Sequence, residues 1–154
     1  MLRPFFLSLM LSALAVPAMA QDAKQDAEKL AVGYTECVGK RDAACVASLY
    51  SKDGVQINPG GVFSDLKARY EQNFKNGTER IEIRTGHMWA LSNDLVLADG
   101  ETDIFGKNDK GEATKVTVFW SAVDIRENGQ MKIRMLTVAP KPAPPPKEAS
   151  ADKK

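Results

Sequence analysis

The residues with the clearest capacity for chemistry are a tyrosine on an amphipathic helix, an amide side chain before a proline, and three carboxylates spaced two apart. Tyr34 offers a hydroxyl donor, whereas Asn58 offers a donor and an acceptor and cannot take a proton from carbon. Asp99, Glu101 and Asp103 occupy alternate positions, and alternate side chains of a strand share one face of a sheet. A pocket built from these groups would hold the polar part of a small molecule or transfer a proton.

Other catalytic arrangements are missing from the sequence. His87 is the single histidine, and no Ser/His/Asp, Cys/His or metal-ligating pattern accompanies it. We expect no cofactor and no metal, and we expect His87 at an interface or in the core. The chain has 21 basic and 20 acidic residues, and loss of Arg3 with the leader makes it formally neutral. It lacks the basic patch that binding to nucleic acid requires.

Cys37 and Cys45 are the only cysteines, and we predict that they form a disulfide. Export would place them in an oxidising compartment, where such a pair is expected to be oxidised. They lie at the facing ends of two predicted helices, which a break at residues 39–41 allows to approach. Closing so short a loop stabilises a fold by roughly 2–3 kcal/mol. A redox-active pair is the alternative, but the usual close spacing is lacking.

Both ends of the chain are predicted to lie outside the folded domain. Residues 1–20 combine a positive start, a short apolar run and small residues at Ala18-Met19-Ala20, as in a secretory signal peptide. A membrane anchor is the alternative, but the run is too short to span a bilayer as a helix. Residues 141–154 form a proline-rich, charged segment, which favours a disordered tail over a docking segment. Residues 21–140 remain as one domain, and we expect it to be periplasmic or secreted, with no membrane insertion after signal cleavage.

The periodicity predicts helices first and strands afterwards. Apolar residues at helical spacing indicate helices over 26–39, 43–51 and, after a cap at Ser64 or Asp65, up to Asn76. A short strand over 55–58 lies between the second and third helices. Asn93-Asp94 and Asn128-Gly129 are hairpin turns, and the strands that they join span residues 80–92, 95–106, 112–127 and 130–139. This order predicts an α+β fold.

Alternation sorts the strand residues into two faces, and periodicity alone does not decide which one covers the core. Hydrophobicity favours the face that contains Ile81, Val118 and Trp120. The opposite face contains Phe119 and Ser121 together with the three carboxylates. Three carboxylates cannot be buried without partners, so they must pair with arginine, lie at a cavity mouth or face water.

The segment from Tyr34 to Pro59, YTECVGKRDAACVASLYSKDGVQINP, resembles the start of ketosteroid isomerases in the nuclear transport factor 2-like and SnoaL-like superfamily. The run from Glu127 to Ile133 is similar to the closing hairpin of SnoaL-like domains. Together the resemblance extends over most of residues 25–140. It implies a cystatin-like cone in which three N-terminal helices pack on a strongly curved antiparallel sheet around a cavity. It also implies a homodimer through the sheet, with the apolar face of Trp120 as the interface.

The same resemblance implies roles for particular residues. Tyr34 matches the oxyanion tyrosine of the isomerases, Asn58 stands where their general-base aspartate lies, and Ser121 falls near their second oxyanion donor. An amide cannot act as the base, so isomerase activity of that type is not expected. The resemblance turns the face of Phe119 and Ser121 toward the cavity. The ligand-binding residues that it then implies are Tyr34, Asn58, Arg84, Asp99, Glu101, Ser121 and Arg134.

We therefore expect an exported small-molecule-binding or dimeric scaffold domain without a recognisable catalytic set. The alternative is an isomerase, cyclase or hydratase in which cavity carboxylates such as Asp99 or Glu101 transfer protons while Tyr34 donates a hydrogen bond. A carboxylate that titrates near neutral pH inside a closed cavity would favour the enzyme.

Overall fold

Two helices joined by a tight break open the fold. In the computed structural model, which describes residues 16–142, α1 spans Val16–Gly39 and α2 spans Ala43–Ser48. Between them Arg41 has a φ of 54°, and its guanidinium donates to the carbonyl of Phe74 at 2.6 Å. Asp42 caps α2 by accepting a hydrogen bond from the N–H of Cys45 at 2.9 Å. Most of the predicted signal peptide and tail, residues 1–15 and 143–154, lie outside the described residues.

The predicted disulfide is confirmed and joins these two helices. Cys37 and Cys45 are bonded, with their Cα atoms 5.5 Å apart. Because the bond links the end of α1 to the start of α2, it holds α1 in the position from which Tyr34 reaches the interior.

Six strands form one sheet, in the order β2-β1-β6-β5-β4-β3. Neighbours are antiparallel except for β1 and β6, which are parallel. The helix α3, Leu66–Lys75, connects β2 to β3 and is capped by Asp65. None of the helices within residues 16–142 is long and apolar enough to cross a membrane. The strands are β1 Tyr50–Asn58, β2 Gly61–Phe63, β3 Thr78–Ser92, β4 Leu95–Lys107, β5 Ala113–Glu127 and β6 Gln130–Pro140.

The α+β class, α3 and the four long strands agree with the sequence predictions to within about two residues. Asn128 and Gly129 have φ values of 51° and 78°, as a two-residue hairpin turn of the predicted kind requires. The predicted start of β1 at residue 55 is wrong, because the strand begins at Tyr50, directly after a shorter α2. The short strand β2 and the parallel pairing of β1 with β6 have no local signal in the sequence.

Bulges in β3 and β6 decide which side chains of these strands point into the fold. In β3 the register shifts between Thr85 and His87, so Met88 faces inward and His87 faces outward. In β6 a second shift lets both Ile133 and Leu136 face inward. The inner face is therefore mostly the face that hydrophobicity favours, with exceptions at the bulges.

The resemblance-based choice of face is wrong for most of its residues. Phe119 is 40% exposed and Ser121 is exposed, both on the convex side of the sheet. Trp120 lines the interior, so its expected place on an outer dimer interface is also wrong. Leu136 and Val138, which the resemblance also turns toward the cavity, do face inward, because the extra residue in β6 reverses the alternation.

We predict that Gly77, which ends α3, cannot carry a side chain. Gly77 has a φ of 98°, and a Cβ atom there would lie 2.0 Å from the carbonyl oxygen of Lys107. Gly77→Ala should therefore lower the free energy of unfolding by about 3 kcal/mol or more in urea titrations. Gly111→Ala is the matched control, because Gly111 also has a positive φ, 78°, but no described atom would lie within 4 Å of its Cβ. The control should lose only about 1–2 kcal/mol, and equal losses would contradict the prediction.

Candidate functional site

A cavity of about 230 Å³ lies between the helices and the inner face of the sheet. Its volume is below the roughly 300–1,000 Å³ of pockets for drug-sized ligands, so it suits a smaller molecule. Helices α1 and α3 form one wall, and strands β1 and β3 to β6 form the other. The polar groups of the lining are Tyr34, Gln56, Asn58, Arg69, Tyr70, Asn73, Thr78, Thr85, Thr102, Trp120 and Asp124, and the remaining lining residues are apolar.

The cavity exists because small side chains meet at the middle of the sheet. One row of paired residues crosses the strands there, and two of its members are alanines: Gln56, Leu136, Ala122, Ala98 and Met88. Helix α1 faces the sheet with Ala27 and Ala31, which also line the space. Larger residues at these positions would fill the interior.

Three tyrosine hydroxyls meet at one side of the cavity. Tyr70 on α3 is hydrogen-bonded through its hydroxyl to the hydroxyl of Tyr34 on α1 and, at 2.9 Å, to that of Tyr50 on β1. Gln56 Nε2 donates to the same Tyr70 oxygen at 3.1 Å. Burial raises the pKa of all three tyrosines well above the ordinary value, so they remain neutral donors and acceptors.

The number of protons in this cluster allows Tyr34 to donate a hydrogen bond to a ligand. The Tyr70 oxygen has one proton and two lone pairs, and Gln56 uses one lone pair. One of Tyr34 and Tyr50 must then donate to Tyr70 while the other accepts from it. When Tyr50 donates, Tyr34 keeps its own proton for a group inside the cavity. Tyr34 lines the cavity and Tyr50 does not.

Asp124 is the acidic group of the cavity lining. It lies on β5 in the row that also contains Tyr50, Ile133 and Val96, and it is only 5% exposed. Burial among apolar neighbours raises the pKa of its carboxyl to about 7. Its Oδ1 is buried without a hydrogen-bond partner among the described residues. An acid in this setting exchanges its proton near neutral pH and has an oxygen free to accept a hydrogen bond.

A second buried polar atom on the same strand has no partner within the described part of the chain. Trp120 Nε1 is inaccessible and makes no hydrogen bond there. Trp120, Ala122 and Asp124 all line the cavity from β5, and Trp120 and Asp124 are separated by roughly 13 Å along the strand. The cavity therefore offers an indole donor toward one end and a carboxyl group toward the other.

The seven predicted ligand-binding residues separate into two groups. Tyr34 and Asn58 line the cavity, and Asn58 Oδ1 also accepts a hydrogen bond from the N–H of Gly60 at 2.8 Å. The other five do not line it: Arg84, Asp99, Glu101, Ser121 and Arg134. Four of these occupy outward-facing positions of β3, β4 and β5: Arg84, Asp99, Glu101 and Ser121. Arg134 is the extra residue at the bulge of β6.

The carboxylates on the outer face pair with cations instead of entering the cavity. Asp103 is bonded to Arg84 at 2.7 and 3.1 Å, to Thr117 at 2.7 Å and to Lys115 at 2.9 Å. The Arg84 guanidinium, with Thr117 and Lys115, holds the pKa of Asp103 well below its usual range. Glu101 pairs mainly with Lys141, at 2.6 Å. These contacts stabilise ionised carboxylates and make them poor bases.

Sequence reasoning missed Asp124, although a signal for it exists. It has the same alternation as Val118, Trp120 and Ala122 on β5, so it is an acid on an otherwise apolar face. In the sequence Tyr70 is only one of the apolar positions at helical spacing that predict α3. Its role as the centre of the hydrogen-bonded cluster depends on contacts between residues 14 to 36 positions apart. In residues 16–142, no group of three or more His, Cys, Asp or Glu could hold a metal ion.

Comparison with known proteins bears on the fold. No protein-family model matches the sequence, and no curated protein is similar enough to count as a relative. Among solved structures, a ketosteroid isomerase-like protein from Erwinia carotovora atroseptica aligns with a TM-score of 0.67 at 19% identity, over 75% of this chain and 94% of its own. An NTF2-like protein of unknown function from Shewanella oneidensis MR-1 aligns with a TM-score of 0.63 at 18% identity, over 75% and 98%.

This chain has the nuclear transport factor 2-like fold. A hexachlorocyclohexane dehydrochlorinase, LinA type 2, has the same fold, with a TM-score of 0.64 at 16% identity over 82% of this chain and 96% of its own. At these identities the similarity concerns the nuclear transport factor 2-like backbone. The chemistry has to be argued from the cavity of this chain.

We predict that Asp124 makes the stability of the protein fall between pH 4 and pH 7. In this range the folded state keeps the proton of Asp124 while the unfolded chain has lost it, so unfolding is favoured as the pH rises. A pKa raised from 3.8 to about 7 corresponds to a loss of up to about 4 kcal/mol. Asp124→Asn should remove this slope in urea titrations and stabilise the protein at pH 8. Asp109→Asn, in an exposed loop, should leave the slope intact, and an unchanged slope in Asp124→Asn would refute the assignment.

Proposed function

We propose that the protein binds a small, largely apolar carbonyl compound in the cavity and moves a proton on the carbon beside the carbonyl group. The observation that carries the proposal is Asp124, a buried carboxyl whose pKa is about 7. A general base works best when its pKa lies near the operating pH, and perturbed carboxyls in cavities are candidates for catalysis. The apolar lining would bind the body of the compound.

The two key groups have distinct tasks in this proposal. Ionised Asp124 takes a proton from the α carbon, and the electron pair of that C–H bond moves into an enolate. The hydroxyl of Tyr34 donates to the developing oxyanion, supported by its hydrogen bond to Tyr70. Protonated Asp124 then returns the proton to the same carbon or to a conjugated one, which gives exchange or isomerisation. Asn58 is at most a hydrogen-bonding group for the ligand.

Binding without turnover is the second candidate function. Asn58, an amide at the position that carries the base in the isomerases, favours it. The mostly apolar lining of the cavity and the ion-paired carboxylates of the outer face fit a carrier or scaffold domain equally well. The two candidates differ in one observable, which is proton transfer to a bound ketone.

Deuterium exchange into cyclohex-3-en-1-one separates the candidates. The protein should catalyse exchange at the α carbon in D₂O, with a rate that rises through about pH 7 as Asp124 ionises. Asp124→Asn should abolish catalysis, and Tyr34→Phe should lower the rate by roughly 10²–10³-fold if it is the sole oxyanion donor. Asp99→Asn, on the outer face, should have no effect.

The outcomes have definite meanings. Exchange no faster than in buffer, with the ketone bound by chemical-shift mapping, would leave the protein as a binding domain. Exchange that survives in Asp124→Asn but is lost in Asp99→Asn would assign the base to the outer face and overturn the proposed site.

We also propose that the protein is exported and forms a homodimer. The disulfide fits an oxidising compartment outside the cytoplasm, and cleavage after Ala20 would leave a chain that begins at Gln21. The outer face of the sheet presents Trp89, which is 48% exposed and stacked on His87, and Phe119. Exposed aromatic groups of this kind are enriched in protein interfaces.

Trp89→Lys should dissociate this dimer, because it places a charge in an apolar contact. Val32→Lys is the matched control, since Val32 is 59% exposed on α1, away from the sheet. Analytical ultracentrifugation of the periplasmic product should show a dimer for the wild type and the control and a monomer for Trp89→Lys. A monomeric wild type at high micromolar concentration would contradict the dimer. The cleavage is tested by the intact mass of the same product, and a mass that includes residues 1–20 would contradict it.

A further inference from the structure

Arg69 gives the cavity a positive charge that no acidic residue in the described part of the chain pairs with. It is the only lysine or arginine among the lining residues that the structure describes, and Asp124 is the only acid. No Asp or Glu in residues 21–142 lies within ion-pair distance of Arg69, whereas Arg84 pairs with Asp103 and Arg126 pairs with Asp26. A half-buried charge without a partner is unfavourable, and in this respect Arg69 differs from Arg84 and Arg126.

The guanidinium of Arg69 is nevertheless held in a fixed place. Its Nε donates to Gln56 Oε1 at 3.2 Å, and its Cζ lies 4.4 Å from the centre of the Phe63 ring. Gln56 is buried and is itself bonded to Tyr70. These contacts use one face and one N–H of the group, and they leave its two terminal nitrogens without a partner among the described residues.

The charge acts on the polar side of the cavity. Burial raises the pKa of Tyr34 and Tyr70, and the positive charge of Arg69 works against that rise. The guanidinium therefore favours negative charge near the tyrosine hydroxyls. Asn58 and Asn73 also line the cavity, and Asn73 lies one helical turn after Arg69, on the same side of α3. Amide donors and a guanidinium together are suited to a carboxylate.

We infer that the carbonyl compound bound in this cavity also carries a carboxylic acid group, and that Arg69 binds its carboxylate. A planar carboxylate matches the free edge of a guanidinium and forms two parallel hydrogen bonds with it. The apolar body would then lie over Ala98 and Ala122, between the arginine and Asp124. The inference rests on the proposed function for the existence of a binding cavity, and it adds the chemical class of the ligand.

A pair of probes that differ in charge alone tests the inference. 3-Phenylpropanoate and 3-phenylpropanamide have nearly the same shape, and at pH 6 Asp124 is mostly protonated and does not repel the anion. Calorimetric titration of the wild-type protein should give at least tenfold tighter binding of the carboxylate, since hydrogen bonds to charged groups are the stronger ones. Arg69→Gln should remove that preference while binding of the amide stays the same, and Arg69→Lys should retain part of it. Arg134→Gln is the control, because this arginine lies outside the cavity.

Each remaining outcome counts against a stated claim. If both probes bind equally to the wild type, and Ala122→Phe, which fills the cavity, abolishes both, the cavity binds ligands but the assignment of Arg69 is wrong. If Arg69→Gln weakens both probes equally, Arg69 has only a structural role. If neither probe binds at millimolar concentration, the carboxylate inference and the binding cavity both fail.

Discussion

The hydroxyl of Tyr70 is the contact on which the interior of this protein depends. It joins α3 to α1 through Tyr34 and to β1 through Tyr50. Because Gln56 occupies its remaining lone pair, the oxygen is saturated and the three elements are held at fixed separations. The helices consequently stay apart from the alanine row of the sheet, and the space between them persists as a cavity. The disulfide acts in the same direction, since it fixes the end of α1 from which Tyr34 projects.

A buried acid in that cavity works against the stability of the fold. Asp124 lies between apolar neighbours, and one of its oxygens has no partner within residues 16–142. An asparagine or leucine there would be less costly to bury. Asp103 on the outer face is instead fully paired, because it has four hydrogen-bonding or charged contacts. Departures from otherwise consistent packing are expected at functional sites. The contrast between Asp124 and Asp103 is the physical reason for placing the function inside the cone.

Much of the architecture could be read from the sequence, because local rules govern it. Asp65 and Gly77 mark the two ends of α3, and Asn128-Gly129 forms the turn between β5 and β6. The positions of Cys37 and Cys45 predicted their disulfide. The sequence did not show which side chains of a strand face inward, because extra residues at bulges in β3 and β6 reverse the alternation. For this reason only part of the predicted site is correct. Tyr34 and Asn58 line the cavity, whereas the predicted residues of the opposite sheet face do not. Tyr70 and Arg69 acquire their roles from contacts that no local pattern encodes.

The state of Asp124 decides between a site and a mere packing defect, and its carboxyl can be observed directly. Titration of the ¹³C carboxyl resonances of the folded protein would follow Asp124, with assignment from the spectrum of Asp124→Asn. We expect a midpoint near pH 7 for Asp124, while the ion-paired Asp103 stays ionised down to the acid limit of the folded state. A midpoint near 4 for Asp124 would show that its carboxyl is hydrated or paired, and would contradict the acid–base role of the cavity.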